Sequence, residues 1–228
     1  MKVVCFDLDD TLCKEVDFLM SAYKEIASHA VQVSVDRGCP LHDVEQKAYE
    51  VMLEAYYHGH NAFEALNTYL GTDMPLDEML KIYREHIPSI SLSDDVIHTL
   101  DRMKAEGVLM GIVSDGRELT QWNKIRALGL TEWIPESNII INSSVDNFKP
   151  APYGYEHFIK VVRALAQDSD LEFTYVGDNL KKDFIYPKKH GWKTICLKND
   201  GRNIHSQNFD DTPVDALPDR VVESILEI

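Results

Sequence analysis

The chain has 228 residues, of which 44% are hydrophobic, and its 23 lysines and arginines stand against 38 aspartates and glutamates. A formal charge of −15 excludes the broad basic surface on which non-specific nucleic-acid binding depends, so we expect no nucleic-acid partner. No stretch approaches the ~18 apolar residues of a membrane span and no signal-peptide core follows the start, so we expect a cytoplasmic protein without a membrane partner.

A short strand and then a long helical region are predicted for the first part of the chain. Lys2–Phe6 is an apolar, β-branched run typical of a buried strand, and Asp7-Leu8-Asp9-Asp10-Thr11 follows it directly. From residue 14 to residue 88 apolar side chains recur at helical spacing, with breaks such as Gly38-Cys39-Pro40. No strand is predicted in this region.

The rest of the chain alternates between strand and helix. Strands are predicted near 108–113, 138–141, 173–176 and 194–197, and helices near 94–106, 119–128, 153–166, 181–190 and 218–226. Such alternation favours a parallel sheet with right-handed crossovers. We therefore predict an α/β fold: a Rossmann-like parallel sheet core with helices on both faces, formed by residues 1–13 and 89–228. An all-helical cap insert, residues 14–88, interrupts it.

Polar residues stand at the predicted carboxyl ends of four strands, where open parallel sheets bind their ligands. They are Asp7, Asp9 and Thr11 after the first strand, Ser114 and Asp115 after the second, Lys149 and Pro150 after the third, and Gly177, Asp178 and Asp183 after the fourth. Because these ends meet at one edge of a parallel sheet, we expect the polar residues to converge there.

Convergence would bring up to four carboxylates into one crevice: Asp7, Asp9, Asp178 and Asp183. Two like charges about 4 Å apart cost ~4 kcal/mol at an effective dielectric of 20, so the cluster needs raised pKa values or a cation. Oxygen ligands and a phosphate partner favour Mg²⁺. Ser114, Asp115 and Lys149 are the expected phosphate-binding residues, through a hydroxyl, adjoining backbone amides and a fixed positive charge. One carboxylate can attack phosphorus in line, and a second can protonate the leaving oxygen.

This set of motifs resembles the haloacid dehalogenase-like hydrolase superfamily. The matching segments are Asp7-Leu8-Asp9-Asp10-Thr11, Ser114-Asp115-Gly116, Lys149-Pro150, and Gly177-Asp178-Asn179 through Asp183. The resemblance covers the whole chain and is to the phosphatase branch, whose members carry a helical cap after the first core strand.

The resemblance implies a role for each residue. Asp7 would be the nucleophile, Asp9 the general acid and base, and Thr11 would orient the Asp7 loop. Asp7, Asp178 and the backbone carbonyl of Asp9 would hold Mg²⁺. Asp183 would steady the metal shell. The expected enzyme is a phosphoric monoester hydrolase that releases phosphate from a small phosphorylated metabolite through an aspartyl-phosphate intermediate.

Several alternatives compete with this hypothesis. A phosphomutase of the same superfamily would use the same Asp7 and Asp9 but would hand the phosphoryl group to a sugar. Dehalogenating and phosphonate-cleaving relatives resemble the chain but lack the second aspartate, so Asp9 favours phosphoryl transfer. Response-regulator receivers combine similar residues in a shorter chain without a helical insert. A binding protein that had lost catalysis would lack a motif residue, and none is missing.

Overall fold

The computed structural model describes residues 1–34, 41–166 and 170–228. The described chain divides into two compact units, one formed by Met1–Val16 with Ser91–Ile228 and the other by Asp17–Ile90. The helix break expected at Gly38-Cys39-Pro40 lies outside the described residues. The assignment of residues 14–88 as a cap domain stays a prediction.

The first unit is built on a six-stranded parallel sheet. In chain order the strands are β1 (Lys2–Phe6), β2 (Leu109–Asp115), β3 (Ile139–Asn142), β4 (Glu172–Gly177), β5 (Lys193–Leu197) and β6 (Arg220–Val222). They lie in the order β3-β2-β1-β4-β5-β6, and each neighbouring pair is parallel. The predicted Rossmann-like sheet is confirmed.

The α-helices of the described residues flank this sheet or form the second unit. They are α1 (Glu15–Ser34), α2 (Leu41–Tyr57), α3 (Ala62–Leu70), α4 (Leu76–Glu85), α5 (Asp94–Ala105), α6 (Glu118–Ala127), α7 (Tyr153–Ala166) and α8 (Ile185–Lys189). The sheet grows from β1 to β3 in one direction and from β4 to β6 in the other. Right-handed crossovers therefore put α5 and α6 on one face and α7 and α8 on the opposite face.

The predicted helix over residues 218–226 is wrong. Arg220–Val222 forms β6 beside β5, and only a short 3₁₀ turn, Ile225–Glu227, follows it. The carboxylate of Asp219 accepts hydrogen bonds from the backbone N–H and the hydroxyl of Thr194, at 2.8 and 2.9 Å, and so fixes the register. Pairing with β6 satisfies the backbone hydrogen-bonding groups at the open edge of β5. This gain outweighs the helical spacing of the apolar residues in the segment.

Two further bounds differ from the predictions. Strand β2 runs on through Ser114 to Asp115, because the ladder to β3 continues to Asn142. Helix α8 covers only Ile185–Lys189 of the predicted 181–190, since the preceding residues form a turned loop in which the N–H of Asp183 bonds to the carbonyl of Asn179.

The core of the first unit packs α7 tightly against the sheet. Tyr155 and Phe158 on α7 are fully buried, and the ring of Tyr155 lies 5.4 Å from that of Tyr175 on β4. A Cβ added at Gly111 of β2 would lie 2.0 Å from Phe158 Cε2, so only glycine permits this approach. This packing holds the sheet rigid beneath its carboxyl edge.

In the described residues of the second unit the regular secondary structure is all helical, as predicted. It has its own apolar core, which includes the fully buried Ile26, Ala30, Met52 and Leu66. These side chains come from α1, α2 and α3 at the spacing that the sequence shows. Among the described residues, none of the helices combines the length and the hydrophobicity of a membrane-spanning segment.

Candidate active site

A cavity of about 270 Å³ lies at the carboxyl edge of the sheet. Its lining includes six residues with carboxylates, two lysines and a histidine: Asp7, Asp9, Asp10, Glu15, Asp115, Asp178, Lys149, Lys182 and His205. A larger groove of about 680 Å³ lies beside Glu172 and Lys193, the first residues of β4 and β5, at the opposite edge. Because parallel sheets bind ligands at their carboxyl ends, the smaller, highly charged cavity is the candidate site.

Asp7 follows β1 and is 4% exposed. Its backbone N–H donates to the carbonyl of Val176, and its Oδ1 accepts the N–H of Leu8 at 2.8 Å. Lys149 Nζ lies 2.8 Å from the same oxygen. Burial raises the pKa of Asp7 to about 6 despite the opposing charge of Lys149. The carboxylate is therefore fixed in direction and poised to ionise.

Lys149 is the buried cation of the site, and its side chain is 0% exposed. Its Nζ lies 2.8 Å from Asp7 Oδ1 and 2.8 Å from Asp183 Oδ1, and it donates to Tyr175 Oη at 2.9 Å. Burial alone would lower the pKa of Lys149, but Asp183 and Asp7 outweigh it and hold the pKa well above its usual value. The predicted convergence of Lys149 on the acidic cluster is thus present in the geometry.

Three carboxylates form the acidic cluster. One oxygen from each of Asp7, Asp178 and Asp183 lies within 4.8 Å of the others, and all three residues are buried. Burial, followed by the charges of Asp183 and Asp7, raises the pKa of Asp178 from 3.8 to about 8. Such a group of oxygens fits a hard divalent cation, which would favour the ionised forms.

The backbone around Asp183 orients this cluster. Asp183 Oδ2 accepts the N–H groups of Asp178 and Asn179 at 3.2 and 2.8 Å, which directs Oδ1 toward Lys149. On the far side, Asn203 Nδ2 donates to Asp178 Oδ2 at 2.9 Å. The loop after β5 therefore helps to fix a carboxylate that follows β4.

Gly177→Ala is expected to disturb this cluster. A Cβ at residue 177 would lie 2.5 Å from Asp183 Oδ2, so the carboxylate must move and lose its backbone partners. We expect Mg²⁺ affinity to fall by roughly 10- to 100-fold, the usual effect of losing an outer-shell contact, and isothermal calorimetry would measure it.

The matched control is Gly111→Ala, whose clash with Phe158 lies in the core. It should lower the melting temperature but leave Mg²⁺ affinity unchanged. Equal Mg²⁺ affinity in the Gly177→Ala and wild-type proteins would show that Asp183 is not held in the way that we describe.

Asp9 lies apart from the three clustered carboxylates and contacts α6. Lys124 Nζ lies 2.7 Å from Asp9 Oδ1, and Gln121 Nε2 donates to Asp9 Oδ2 at 2.9 Å. The same Gln121 nitrogen donates to Ser114 Oγ at 2.7 Å. Burial raises the pKa of Asp9, but Lys124 outweighs it and holds the pKa below its usual value. The geometry thus brings a cation to Asp9 that the sequence-based hypothesis did not include.

The Asp115 carboxylate is occupied by the protein itself. Oδ1 accepts from Asn142 Nδ2 at 2.9 Å and from the N–H of Lys149 at 3.0 Å, and Oδ2 lies 2.9 Å from Lys182 Nζ. Burial raises the pKa of Asp115, but the charges of Lys149 and Lys182 outweigh it and leave the pKa below its usual value. This side chain organises its neighbours, so phosphate binding by residue 115, which stays a prediction, would have to use the backbone.

Thr11 and Asp10 complete the loop after β1. Within the described chain, the buried Oγ1 of Thr11 has no hydrogen-bond partner, so its predicted orienting role stays a prediction. Asp10 adopts a φ of 56° and is 2% exposed. Its carboxylate accepts the N–H groups of Glu15 and Ile204, at 3.0 and 2.9 Å. Asp10 therefore ties the loop to both the start of α1 and the loop after β5.

Several residues of this site were missed by the sequence-based hypothesis. Gln121 and Lys124 share the buried face of α6 with Ile125, and their spacing along the helix is the one signal that could have indicated this. A lysine on a buried helix face needs a nearby anion, because an unpaired buried charge is strongly unfavourable. The sequence gives no sign that Asn203 and His205 belong to the site, because they lie in a polar segment that is typical of a solvent-exposed loop.

Fold and site together define a class of protein: a parallel α/β enzyme with a buried cluster of carboxylates and a lysine at the carboxyl edge of its sheet. Residues 4–197 match the family model described as haloacid dehalogenase-like hydrolase, and the chain belongs to this family.

Named relatives agree with this assignment. A protein of Methanopyrus kandleri, 24% identical over 93% of this chain and 91% of its own, and one of Pyrococcus furiosus, 29% identical over 87% and 81%, are both named glyceraldehyde 3-phosphate phosphatase. A solved HAD phosphatase from Thermococcus onnurineus shares the fold, with a TM-score of 0.57 at 20% identity over 100% of this chain and 95% of its own. The predicted recognition is confirmed: the chain is a hydrolase of this family, of its phosphatase type.

Proposed function

We propose that this chain hydrolyses a small phosphate monoester with Mg²⁺ through an aspartyl-phosphate on Asp7, and that glyceraldehyde 3-phosphate is the first substrate to test. The observation that carries the proposal is the buried Asp7 carboxylate, held by Lys149 at 2.8 Å and clustered with Asp178 and Asp183. The substrate class is supported by the relatives' names and by a cavity of about 270 Å³, which suits a small ester.

The acidic cluster fits a magnesium ion. Its donors are all carboxylate oxygens, the kind that Mg²⁺ takes in proteins. Without a cation, burial and mutual repulsion hold the pKa of Asp178 at about 8, so the cluster favours a positive partner. Asp7, Asp178 and the carbonyl of Asp9 would hold the ion and Asp183 would support it. Bound there, Mg²⁺ would supply positive charge to the transferring phosphoryl group.

In the first half of the proposed reaction, an Asp7 oxygen attacks phosphorus, the new Asp7–phosphorus bond forms, and the ester P–O bond breaks. Asp9 gives a proton to the departing oxygen, so the alcohol leaves neutral. In the second half, Asp9 takes a proton from water, the water oxygen bonds to phosphorus, and the bond to Asp7 breaks. Inorganic phosphate is released, Asp7 is restored as a carboxylate and Asp9 as the protonated acid.

Asp9 in this structure suits the second half of the reaction. Its contact with Lys124 at 2.7 Å favours the ionised form, the form that accepts a proton from water. To act as an acid, Asp9 must first gain a proton, and this requires its contact with Lys124 to lengthen. Lys124 would thus favour the ionised form of Asp9 that follows the first half of the reaction.

The proposal predicts free phosphate as the product. We expect the chain with Mg²⁺ to release phosphate from glyceraldehyde 3-phosphate with a higher kcat/KM than from hexose phosphates or nucleoside monophosphates. The reason is that a short ester fits the cavity. A colorimetric phosphate assay across this panel measures it.

Each contrary outcome has a definite meaning. Isomer formation without free phosphate, followed by NMR, would replace hydrolysis by the phosphomutase alternative. A higher kcat/KM for a hexose phosphate would keep hydrolysis and remove the three-carbon substrate. No release from any ester would overturn the proposed function.

A further inference from the structure

Lys149 is surrounded by oxygen atoms of the protein in this structure. An ammonium carries three N–H groups. Its three oxygen neighbours, on Asp7, Asp183 and Tyr175, lie at 2.8, 2.8 and 2.9 Å, and the side chain is 0% exposed. Lys149 therefore serves to hold the carboxylates, and an incoming phosphoryl group would have to displace one of these contacts to reach it.

Lys182 presents the second ammonium of the cavity, and it is differently placed. Its side chain is 28% exposed, it lines the same cavity as Asp7, and its Nζ lies 2.9 Å from Asp115 Oδ2. With one oxygen accounted for, N–H groups remain for a ligand. Its charge reaches the centre of the site, since it opposes the rise in the pKa of Asp7 and helps to lower that of Asp9.

The backbone and Asp115 together fix where this ammonium lies. The N–H of Lys182 donates to the carbonyl of Asn179 at 3.2 Å, inside the loop that Asp183 anchors. Asp115 is itself held by Asn142 and by the N–H of Lys149. Lys182 is thus presented to the cavity by a rigid support rather than by a free surface loop.

The charge of the cavity favours a further cation beside Lys149 and the proposed Mg²⁺. Six of its lining residues carry carboxylates, and Lys149 and Lys182 are the lysines among the described residues that line it. A phosphate dianion entering such a cavity is repelled unless local cations outweigh the carboxylates. The ammonium that retains donors for it is that of Lys182.

We propose that Lys182 is a second phosphate-binding residue of this site, held by Asp115 so that its ammonium donates to the non-bridging oxygens of the phosphoryl group. The inference rests on the proposed function and deepens it. Lys149 also holds the carboxylates of Asp7 and Asp183, and Lys182 adds an ammonium that binds the phosphoryl group and neutralises part of its charge.

Lys182→Met tests this assignment with inorganic phosphate as the probe. In the presence of Mg²⁺, calorimetry is expected to show phosphate affinity lowered by roughly 10- to 100-fold, the equivalent of one lost charge-assisted hydrogen bond. The KM for a hydrolysed ester should rise in parallel. Lys181→Met is the matched control, because Lys181 is exposed and lies outside the cavity lining, yet the change in net charge is the same.

A merely structural role predicts a different result. If Lys182 only supported Asp115 and the loop, Lys182→Met would weaken Mg²⁺ and phosphate alike and lower the melting temperature. Our proposal predicts that Mg²⁺ affinity is kept and that Lys182→Arg, which keeps the charge, restores phosphate binding. Should Lys182→Met fold poorly, Lys182→Gln against Lys182→Arg gives the same comparison.

The outcomes separate this inference from the proposed function. Equal phosphate affinity in Lys182→Met and Lys181→Met would overturn the role of Lys182 even if the wild type hydrolyses esters. A Lys182-dependent phosphate site in a chain that releases phosphate from no ester would keep the inference and overturn the phosphatase reaction.

Discussion

Replacing Asp7 with asparagine is expected to lower phosphate release by about 10⁴-fold or more, the order of loss seen when a catalytic nucleophile is removed. The amide cannot form the acyl phosphate, yet it has the shape of the carboxylate. Lys149 keeps its contacts with Asp183 and Tyr175, so we expect the fold to be retained in circular dichroism. The decisive measurement is acid-quenched mass spectrometry with p-nitrophenyl phosphate, which should find a phosphoryl group on the Asp7 peptide of the wild type and none on the corresponding peptide of Asp7→Asn.

Asp9→Asn is the matched control for this experiment. The same isosteric change is made two residues away, where Lys124 and Gln121 contact the carboxylate. We expect the rate of phosphate release to fall by about 10²- to 10⁴-fold, the usual contribution of a general acid and base to the rate. Because p-nitrophenolate leaves without a proton, the Asp7 peptide should still be labelled and should keep its label longer. Label on another residue, or full activity in Asp7→Asn, would contradict the proposed nucleophile.

The fold could be predicted from the sequence where local pattern and tertiary context agree. The five strands β1 to β5 are apolar runs that end in polar residues, and a parallel sheet needs such runs. Strand β6 could not be predicted, because Arg220–Val222 has no strand pattern of its own and becomes a strand by pairing with the edge of β5. Ser114 and Asp115 were assigned to a loop for the same reason, since their strand character comes from pairing with β3.

The candidate site was predictable in its carboxylates and less so in its cations. Each predicted aspartate ends a strand, directly follows one or lies in the loop after it, so topology alone brings it to the carboxyl edge. Lys124 and Lys182 reach that edge from α6 and from the loop after β4, and their direction depends on which anion each one contacts. The spacing of residues in the sequence does not contain this information. Tertiary packing decides whether a lysine side chain points to solvent or to a buried carboxylate.

Removal of Mg²⁺ is the second change with a large expected effect. Chelation by EDTA should lower phosphate release by at least about 10³-fold, because the cation supplies several kcal/mol of charge stabilisation in such reactions. Readdition of Mg²⁺ should restore the rate. Activity that survives EDTA would remove the metal from the proposal and leave Lys182 and Lys149 as the sole cations of the cavity lining in the described chain.

The affinity for Mg²⁺ should also depend on pH, and the protonation of Asp178 sets the direction of this dependence. Folding raises the pKa of Asp178 from 3.8 to about 8, so its protonation stabilises the metal-free protein fully below pH 3.8, and this contribution is lost as the pH rises through about 8. Mg²⁺ must displace that proton. Its affinity should therefore rise about tenfold per pH unit between about pH 6, the pKa of Asp7, and about pH 8, and level off above it, with roughly one proton released per ion in that range.

Melting curves with and without Mg²⁺ between about pH 6 and about pH 9, and calorimetry in buffers of different ionisation enthalpy, measure both quantities. The rise in melting temperature caused by Mg²⁺ should grow with pH, since the metal-free protein loses stability over the range in which the ion binds better. Asp178→Asn has no proton to displace at residue 178, so the dependence should disappear above about pH 6, the pKa of Asp7. An equal Mg²⁺-induced rise at both ends of the range would mean that Asp178 is already ionised in the metal-free protein, held so by Asn203 and the surrounding dipoles rather than by the cation.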